Sequence, residues 1–231
     1  MSTALVIGAG PGLSASLARA LKQRGHSIVL ASRDTSSLSD LAQEIGATLI
    51  DCNARNPGDM ERLFTMLDEQ QDDLDVAIYN PSARNQGPIA TLDPVDVENT
   101  LMISAYGAFL MAHHAAKRML PRNQGAMFFT GATAGVKGFA NSAPFAMGKF
   151  ALRGLCQSLA RELHPKGIHI GHVVIDGIIG SPANPESASG DEDFDNMLNP
   201  DAIARTYMHL LDQHRSAWSW EIEIRPWVES F

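Results

Sequence analysis

In the stretch SAPFAMGKFALR (142–153), Lys149 follows Phe145 at a spacing of four. Residues four apart share one face of a helix. A lysine one turn from a phenol would make a proton-transfer pair, because the nearby cation favours the phenolate. Phe145 has no proton to give. Lys149 either lays its stem on apolar surface with its charge in water, or serves a ligand on its own.

Gly8, Gly10 and Gly12 sit between an apolar run, Ala4 to Ile7, and a helical pattern carrying Leu13, Leu17, Ala20 and Leu21. Glycines there allow a tight turn, close approach of a pyrophosphate and tight helix–strand packing. The free amides at the helix start favour an anion. With Pro11 and Leu13, these glycines form a candidate dinucleotide cradle. The second strand ends Ala31-Ser32-Arg33-Asp34. An acid usually binds the ribose hydroxyls at this point, whereas Arg33 offers a planar fork of donors suited to an extra phosphate, with the Ser32 hydroxyl beside it. The pattern favours NADP(H) over NAD(H). Asp34 reads as a cap for the helix that follows. Asp51 ends the third strand, where its carboxylate can accept from an adenine amino group. Cys52 packs at the same rim, and Asn80 ends the fourth strand.

The elements that must position these residues alternate. Ser27 to Ala31 is a strand, Ser36 to Ile45 a helix, Thr48 to Ile50 a strand, Gly58 to Leu67 a helix and Leu74 to Tyr79 a strand. Pro94 to Leu120 holds one long or two consecutive helices. Ala126 to Thr130 is a strand, Ser142 to His164 a long helix, Gly167 to Ile175 an apolar strand, Asp201 to Leu211 a helix and Trp218 to Ile224 a final strand. Strand–helix alternation predicts an α/β fold. It is a single Rossmann-type domain over residues 1–231, with a doubly wound, mostly parallel, seven-stranded sheet and helices on both faces. In the last strand Trp220, Ile222 and Ile224 are expected on one side and Glu221 and Glu223 on the other, polar side. The loop 177–199 is long for this architecture and reads as a substrate-side flap.

Composition sets limits. The net charge of −8 argues against a nucleic-acid surface, and no apolar run reaches membrane-spanning length. Two cysteines without a recognisable spacing fit a reduced, cytoplasmic protein. The histidines complete no metal set: His113 and His114 diverge on one helix, and His169 and His172 lie on opposite faces of a strand. The chain has no GxSxG elbow and no lysine-containing phosphate loop.

On these residues the chain resembles the short-chain dehydrogenase/reductase family over nearly its whole length. The resemblance maps Gly8, Gly10 and Gly12 onto the family's cofactor turn, with Ser14 where a later glycine is usual. It maps Asp51 onto the adenine contact, Asn80 onto the asparagine motif after the fourth strand, and Lys149 onto the lysine of YxxxK. It implies NAD(P)(H) binding, hydride transfer to or from a small alcohol or carbonyl substrate, and a homodimer or homotetramer built through the long helices of the second half. It also implies that Lys149 binds the nicotinamide ribose.

The departures fall on the chemistry. Phe145 stands at the catalytic tyrosine, Ala132 at the serine with Thr133 adjacent, Ser104 near the structural asparagine, and Asp176-Gly177 at a Pro-Gly pair. Thr133, as a carbonyl-polarising group, and Asp176, at the exit of a buried strand, join Lys149 as catalytic candidates. Tyr79 and Tyr106 read as packing. Two other readings stay open: an NADP(H)-binding sensor or partner protein with little or no turnover, and a homo-oligomeric scaffold without ligand.

Overall fold

The computed structural model describes residues 2–70, 72–180 and 196–229. Strand β1 (Ser2–Ile7) shows why the sheet forms in the middle of the molecule. Ala4, Leu5, Val6 and Ile7 are all buried, as expected of a strand covered on both faces. The same holds for β2 (Ser27–Ser32), β4 (Asp73–Tyr79), β5 (Gly125–Thr130) and β6 (Ile168–Ile175), all rich in apolar residues. With β3 (Thr48–Asp51) and the late strand β9 (Glu221–Ile224) they form a seven-stranded sheet in the order β3-β2-β1-β4-β5-β6-β9. Every pairing is parallel. The predicted Rossmann-type doubly wound architecture is present. A separate two-stranded sheet, β7 (Ile178–Ile179) with β8 (Met197–Leu198), was not expected from the sequence.

Alternation along each strand divides the core. Leu5 and Ile7 face a layer built from α3 (Pro57–Glu69), α5 (Gly107–Met119) and α6 (Ala143–Leu163). Ala4 and Val6 face α1 (Leu13–Gln23), α2 (Ser39–Ile45) and α7 (Pro200–Asp212). Helix α4 (Pro94–Leu101) runs into α5 through a π-helical segment, Met102–Tyr106, so the stretch 94–120 is one helix with a wide turn inside it. Asn56, Asp93 and Asn199 cap α3, α4 and α7, each followed by a proline in the first turn.

Two close approaches set the helices on this face, one at α6, which carries Lys149, and one at the start of α5. A Cβ at Gly148 would lie 2.7 Å from the Ser104 Cβ, so only glycine lets α6 sit this close to the π segment. A Cβ at Gly107 would strike the Tyr79 hydroxyl, which donates to the Ile103 carbonyl at 2.5 Å. Order reversal places β1 between β2 and β4, and a crevice opens at their carboxyl ends, the usual ligand position in open α/β sheets.

The last strand departs from expectation. Glu221 does not point at solvent. Its carboxylate accepts from Arg153 of α6 at 2.7 and 2.8 Å and pairs with the buried His172 at 2.9 Å. Ile222 and Ile224 pack with the α1/α7 layer, but Trp220 precedes the regular strand and packs with the α6 layer. A polar edge face was predicted because sequence alternation shows which residues differ, not which charges find partners. Of the expected flap 177–199, residues 181–195 lie outside the described residues, while Gly177–Gly180 and Asn196–Asn199 border β7 and β8.

Candidate active site

The turn after β1 is held open from several sides. Gly8 adopts φ +78°, a region that strongly favours glycine, and a Cβ there would lie 2.5 Å from the Pro81 nitrogen. The Gly8 and Ala9 amides donate to the Ala31 carbonyl at 2.8 and 3.0 Å. Ser14 donates to the Gly8 carbonyl at 2.9 Å, and the Asn80 amide nitrogen donates to the Ser14 hydroxyl at 2.7 Å. A serine where the sequence comparison led one to expect glycine therefore braces the turn. Beyond it, a Cβ at Gly10 would meet nothing within 4 Å, and α1 starts on Gly12 with no side-chain cap. That leaves space and amide-rich backbone for an anion.

From this turn a groove of about 550 Å³ runs towards Ser32, Arg33 and Cys52. Arg33 is exposed and makes no hydrogen bond or ion pair among the described residues. Ser32 donates to the Asp34 carbonyl at 2.6 Å, and Asp34 accepts from the Ser36 amide at 2.9 Å, a local turn bond rather than the expected helix cap, since the short 3-10 turn at Ser36 is preceded by Thr35 at its cap position. Asp51 accepts from the Thr35 amide and hydroxyl at 3.1 and 2.8 Å, so one carboxylate oxygen anchors the loop after β2. Asp51 stands beside the groove; Cys52 and Asn53 line it. Burial pushes the Cys52 thiol up to about 11, which leaves it protonated and unreactive.

The second half of the crevice is a cleft of about 430 Å³ lined by Gly10, Gly12, Leu13, Thr130, Ala132, Phe145 and Lys149, among others. Lys149 is 2% exposed, and its Nζ donates to the Thr130 carbonyl at 2.8 Å. Burial holds its ammonium down to about 8, and the charge of Arg84 pushes the same way. Phe145 turns its ring to the cleft with Nζ 6.0 Å from the ring centroid. The chemistry available at Nζ is proton donation or acceptance near neutral pH, in a chamber whose neighbouring ring cannot supply it.

Thr133 and Asp176 do come together, but with each other. The Thr133 hydroxyl donates to the Asp176 carboxylate, whose other oxygen lies 3.2 Å from Arg225. Neither lines the cleft. They clasp the end of β6 to the segment after β9. Tyr79 and Tyr207 are fully buried, with the Tyr207 hydroxyl 2.8 Å from the Thr130 hydroxyl, and neither lines the crevice. Tyr106 is partly exposed and stacks on Phe109. Ser104 is fully buried, and its hydroxyl finds no partner among the described residues. Arg84 was missed by sequence reasoning. It lines both halves of the crevice, and its guanidinium carbon lies 5.0 Å from the centroid of the Phe145 ring. The available signal was slight: Arg84 is the single cation between Asn80 and Asp93. Among the described residues no group of His, Cys, Asp and Glu could hold a metal ion, and no helix is long and apolar enough to cross a membrane.

A family model described as enoyl-(acyl carrier protein) reductase matches residues 8–217. The chain is 26% identical over 175 residues to the 3-oxoacyl-[acyl-carrier-protein] reductase MabA of Mycobacterium bovis, covering 76% of this chain and 68% of that one. It is also 26% identical to an NADPH-dependent pterin aldehyde reductase of Arabidopsis thaliana, over 70% of this chain and 69% of the relative. Among solved structures, a short-chain dehydrogenase from Rhodopseudomonas palustris superposes with a TM-score of 0.84 at 32% identity, covering 98% of this chain and 99% of that one. A metagenomic short-chain oxidoreductase in complex with NADP has the same fold, with a TM-score of 0.84 at 24% identity over 97% of both chains.

Lys149 makes stability depend on pH in a defined direction. Below about pH 8 both folded and unfolded chains keep the proton, and the folded chain bears the cost of a buried charge. Between about 8 and the ordinary 10.5 the folded chain has lost the proton and the unfolded chain has not, so stability rises with pH across that window. The full effect is on the order of 3 kcal/mol, at ~1.4 kcal/mol for each pKa unit. Denaturant unfolding of wild type and Lys149→Met should therefore converge, in favour of wild type, as pH rises through this window. A difference independent of pH would mean that Nζ is not held in a desolvated place.

Proposed function

The chain belongs to the short-chain dehydrogenase/reductase family, and from that premise we propose that it is an NADP(H)-dependent oxidoreductase acting on a small carbonyl or alcohol. The observation that carries the reading is the turn at Gly8–Gly12, kept open by Asn80 and Ser14 and leading into a groove that ends at an unpaired Arg33. The residues fit the cofactor. Gly8, Gly10, Pro11, Gly12 and Leu13 would hold the diphosphate through backbone at the start of α1. Ser32 and Arg33 would take the further phosphate of NADP(H), with NAD(H) the weaker ligand. Asp51 and Cys52 would border the adenine, and Lys149 would meet the nicotinamide ribose. The named activity of the Arabidopsis relative supports NADPH as the nucleotide.

When bound, the nicotinamide supplies or takes up a hydride. The protein's part is then to hold the substrate and manage one proton. Phe145 and Ala132 shape the cleft without taking part in proton transfer. Lys149 holds a proton at Nζ near neutral pH and can pass it to the oxygen of a reduced carbonyl. Thr133 and Asp176, expected at the sequence level to act directly, serve in this reading by fixing the end of β6 beside the cleft. The silent-sensor alternative draws on Phe145 and Ala132 alone; the buried, titratable Lys149 favours turnover. The protein is read as a cytoplasmic homodimer or homotetramer. Two buried free cysteines support a reducing compartment, and exposed Tyr106, Phe109, Met147 and Phe150 on the two long helices support self-association.

Three measurements test this reading. Fluorescence titration should give tighter binding of NADPH than NADH, with Arg33→Ala weakening NADPH by about 10–100-fold, as for loss of a charge-assisted contact, and sparing NADH. Equal affinity for the two nucleotides would remove Arg33 from the site, and binding of neither would end the enzyme reading. Carbonyl reduction should fall as pH rises through about 8, and Lys149→Met should lower kcat by about 10²–10⁴ and abolish that limb; a limb that persists in the variant would place the acid elsewhere. Sedimentation of wild type should show a dimer or tetramer that Phe109→Glu with Phe150→Glu dissociates, and a monomeric wild type would reject the helix-face assembly.

A further inference from the structure

Arg84 is the group the family resemblance does not account for. The chain carries 26 acidic and 18 basic residues, yet the crevice has the opposite balance. Its described lining contains Arg33, Arg84 and Lys149 and no carboxylate. Most arginines here have a carboxylate in hand: Arg19 with Glu44, Arg118 with Asp68 and Arg153 with Glu221 are bidentate pairs. Arg84 makes no hydrogen bond or ion pair among the described residues.

Its side chain is exposed, and the loop that carries it is tied down two and three residues further on. The Gly87 amide donates to the Asn141 carbonyl at 2.9 Å, and the Gln86 side-chain amide donates to the Ser142 hydroxyl at 3.2 Å. These bonds tie the loop after β4 to the start of α6, and the guanidinium carbon comes to rest 5.0 Å from the Phe145 centroid. A guanidinium stacks on a ring face while its edge N–H groups stay free to bind in plane. A phenylalanine suits that platform, because a phenol hydroxyl would compete for those donors. Lys149, 6.0 Å from the same centroid, feels the charge of Arg84 as a repulsion. An anion entering the cleft would relieve it.

We infer that the cleft takes a substrate whose reacting carbonyl or alcohol carries an anionic oxygen group, a carboxylate or a phosphate ester, and that the planar fork of Arg84 above Phe145 binds that group. This deepens the oxidoreductase reading and rests on it. Arg84 is a specificity residue here. The anion is not consumed: hydride and proton add across the carbonyl, and the charged group departs with the product. Anchoring by its charge also orients the substrate, while the proton still comes from Lys149.

The test compares kcat/KM with NADPH for 2-, 3- and 4-oxopentanoate against their methyl esters, and for dihydroxyacetone phosphate against dihydroxyacetone, in wild type, Arg84→Met and Arg84→Lys. At least one anion should exceed its neutral counterpart by about 10–100-fold, and which pair does so separates carboxylate from phosphate. Arg84→Met should erase the preference, lowering kcat/KM for the anion by about 10–100-fold more than for its neutral partner, and Arg84→Lys should recover part of it. If no pair turns over, calorimetric titration of the same anions into NADP-saturated protein decides: heat in wild type that vanishes in Arg84→Met supports the inference, and no heat overturns it. Equal rates for charged and neutral partners overturn it as well. So does an Arg84→Met variant that weakens NADPH and both substrates alike, which would make Arg84 a cofactor-phosphate ligand. Absence of NADPH binding in wild type would instead sink the oxidoreductase reading, and this one with it.

Discussion

The structure depends on the carbonyl of Gly8 being held while its amide is also held. The amide reaches back to β2 at Ala31, and the carbonyl accepts from Ser14 in the first helix, itself gripped by Asn80 at the end of β4. Three elements thus meet on one residue of the turn, a unit shared by β2, α1 and β4. Because that unit sits where the strand order reverses, fixing it fixes the mouth of the crevice. Pro81, packed against Gly8, leaves no room for a side chain at that position. The polar bonds are individually modest, but they act in a region where a loose turn would collapse into the groove.

The two halves of the crevice are built differently. The groove half is backbone and small residues, suited to a ligand that carries its own charge. The inner half places a desolvated ammonium 6.0 Å and a guanidinium 5.0 Å from the centre of one phenyl ring. Burial and like charge both favour the neutral amine, which brings Lys149 into the range where a proton moves easily near neutral pH. Phe145 has no proton to exchange, and it offers a flat surface near a cation whose proton is weakly held and beside a second cation.

Much of the frame was legible because buried parallel strands are continuous apolar runs; α3 and α7 start one residue earlier than expected, at Pro57 and Pro200, where Asn56 and Asn199 cap them. The tight turn after β1 was legible as well, since Gly8 adopts a positive φ that glycine alone takes readily. What stayed hidden depended on partners far away in sequence. Glu221 looked like an outer-face residue until Arg153 and His172 met it. Thr133 and Asp176 stood correctly at neighbouring strand exits, but only the fold could show that they satisfy each other. Arg84 sits in a loop whose course is set by two bonds to the start of α6, and no local pattern encodes that.

The wide turn at Met102–Tyr106 has a further consequence. Such a turn accommodates one residue more than a regular α-turn, so everything after it is rotated by about 100° relative to an uninterrupted rod. That phase slip lets the 94–119 stretch press Thr100 inward before it and Ala108, Met111 and Ala115 inward after it. Loss of a single residue within it would return the coil to regular α geometry with the downstream apolar stripe still facing the sheet, whereas loss of one elsewhere in the helix would turn that stripe by about 100°. The segment thus works as a mechanical clutch between the first half of the helix and its sheet-facing second half, taking up one residue of length without disturbing either.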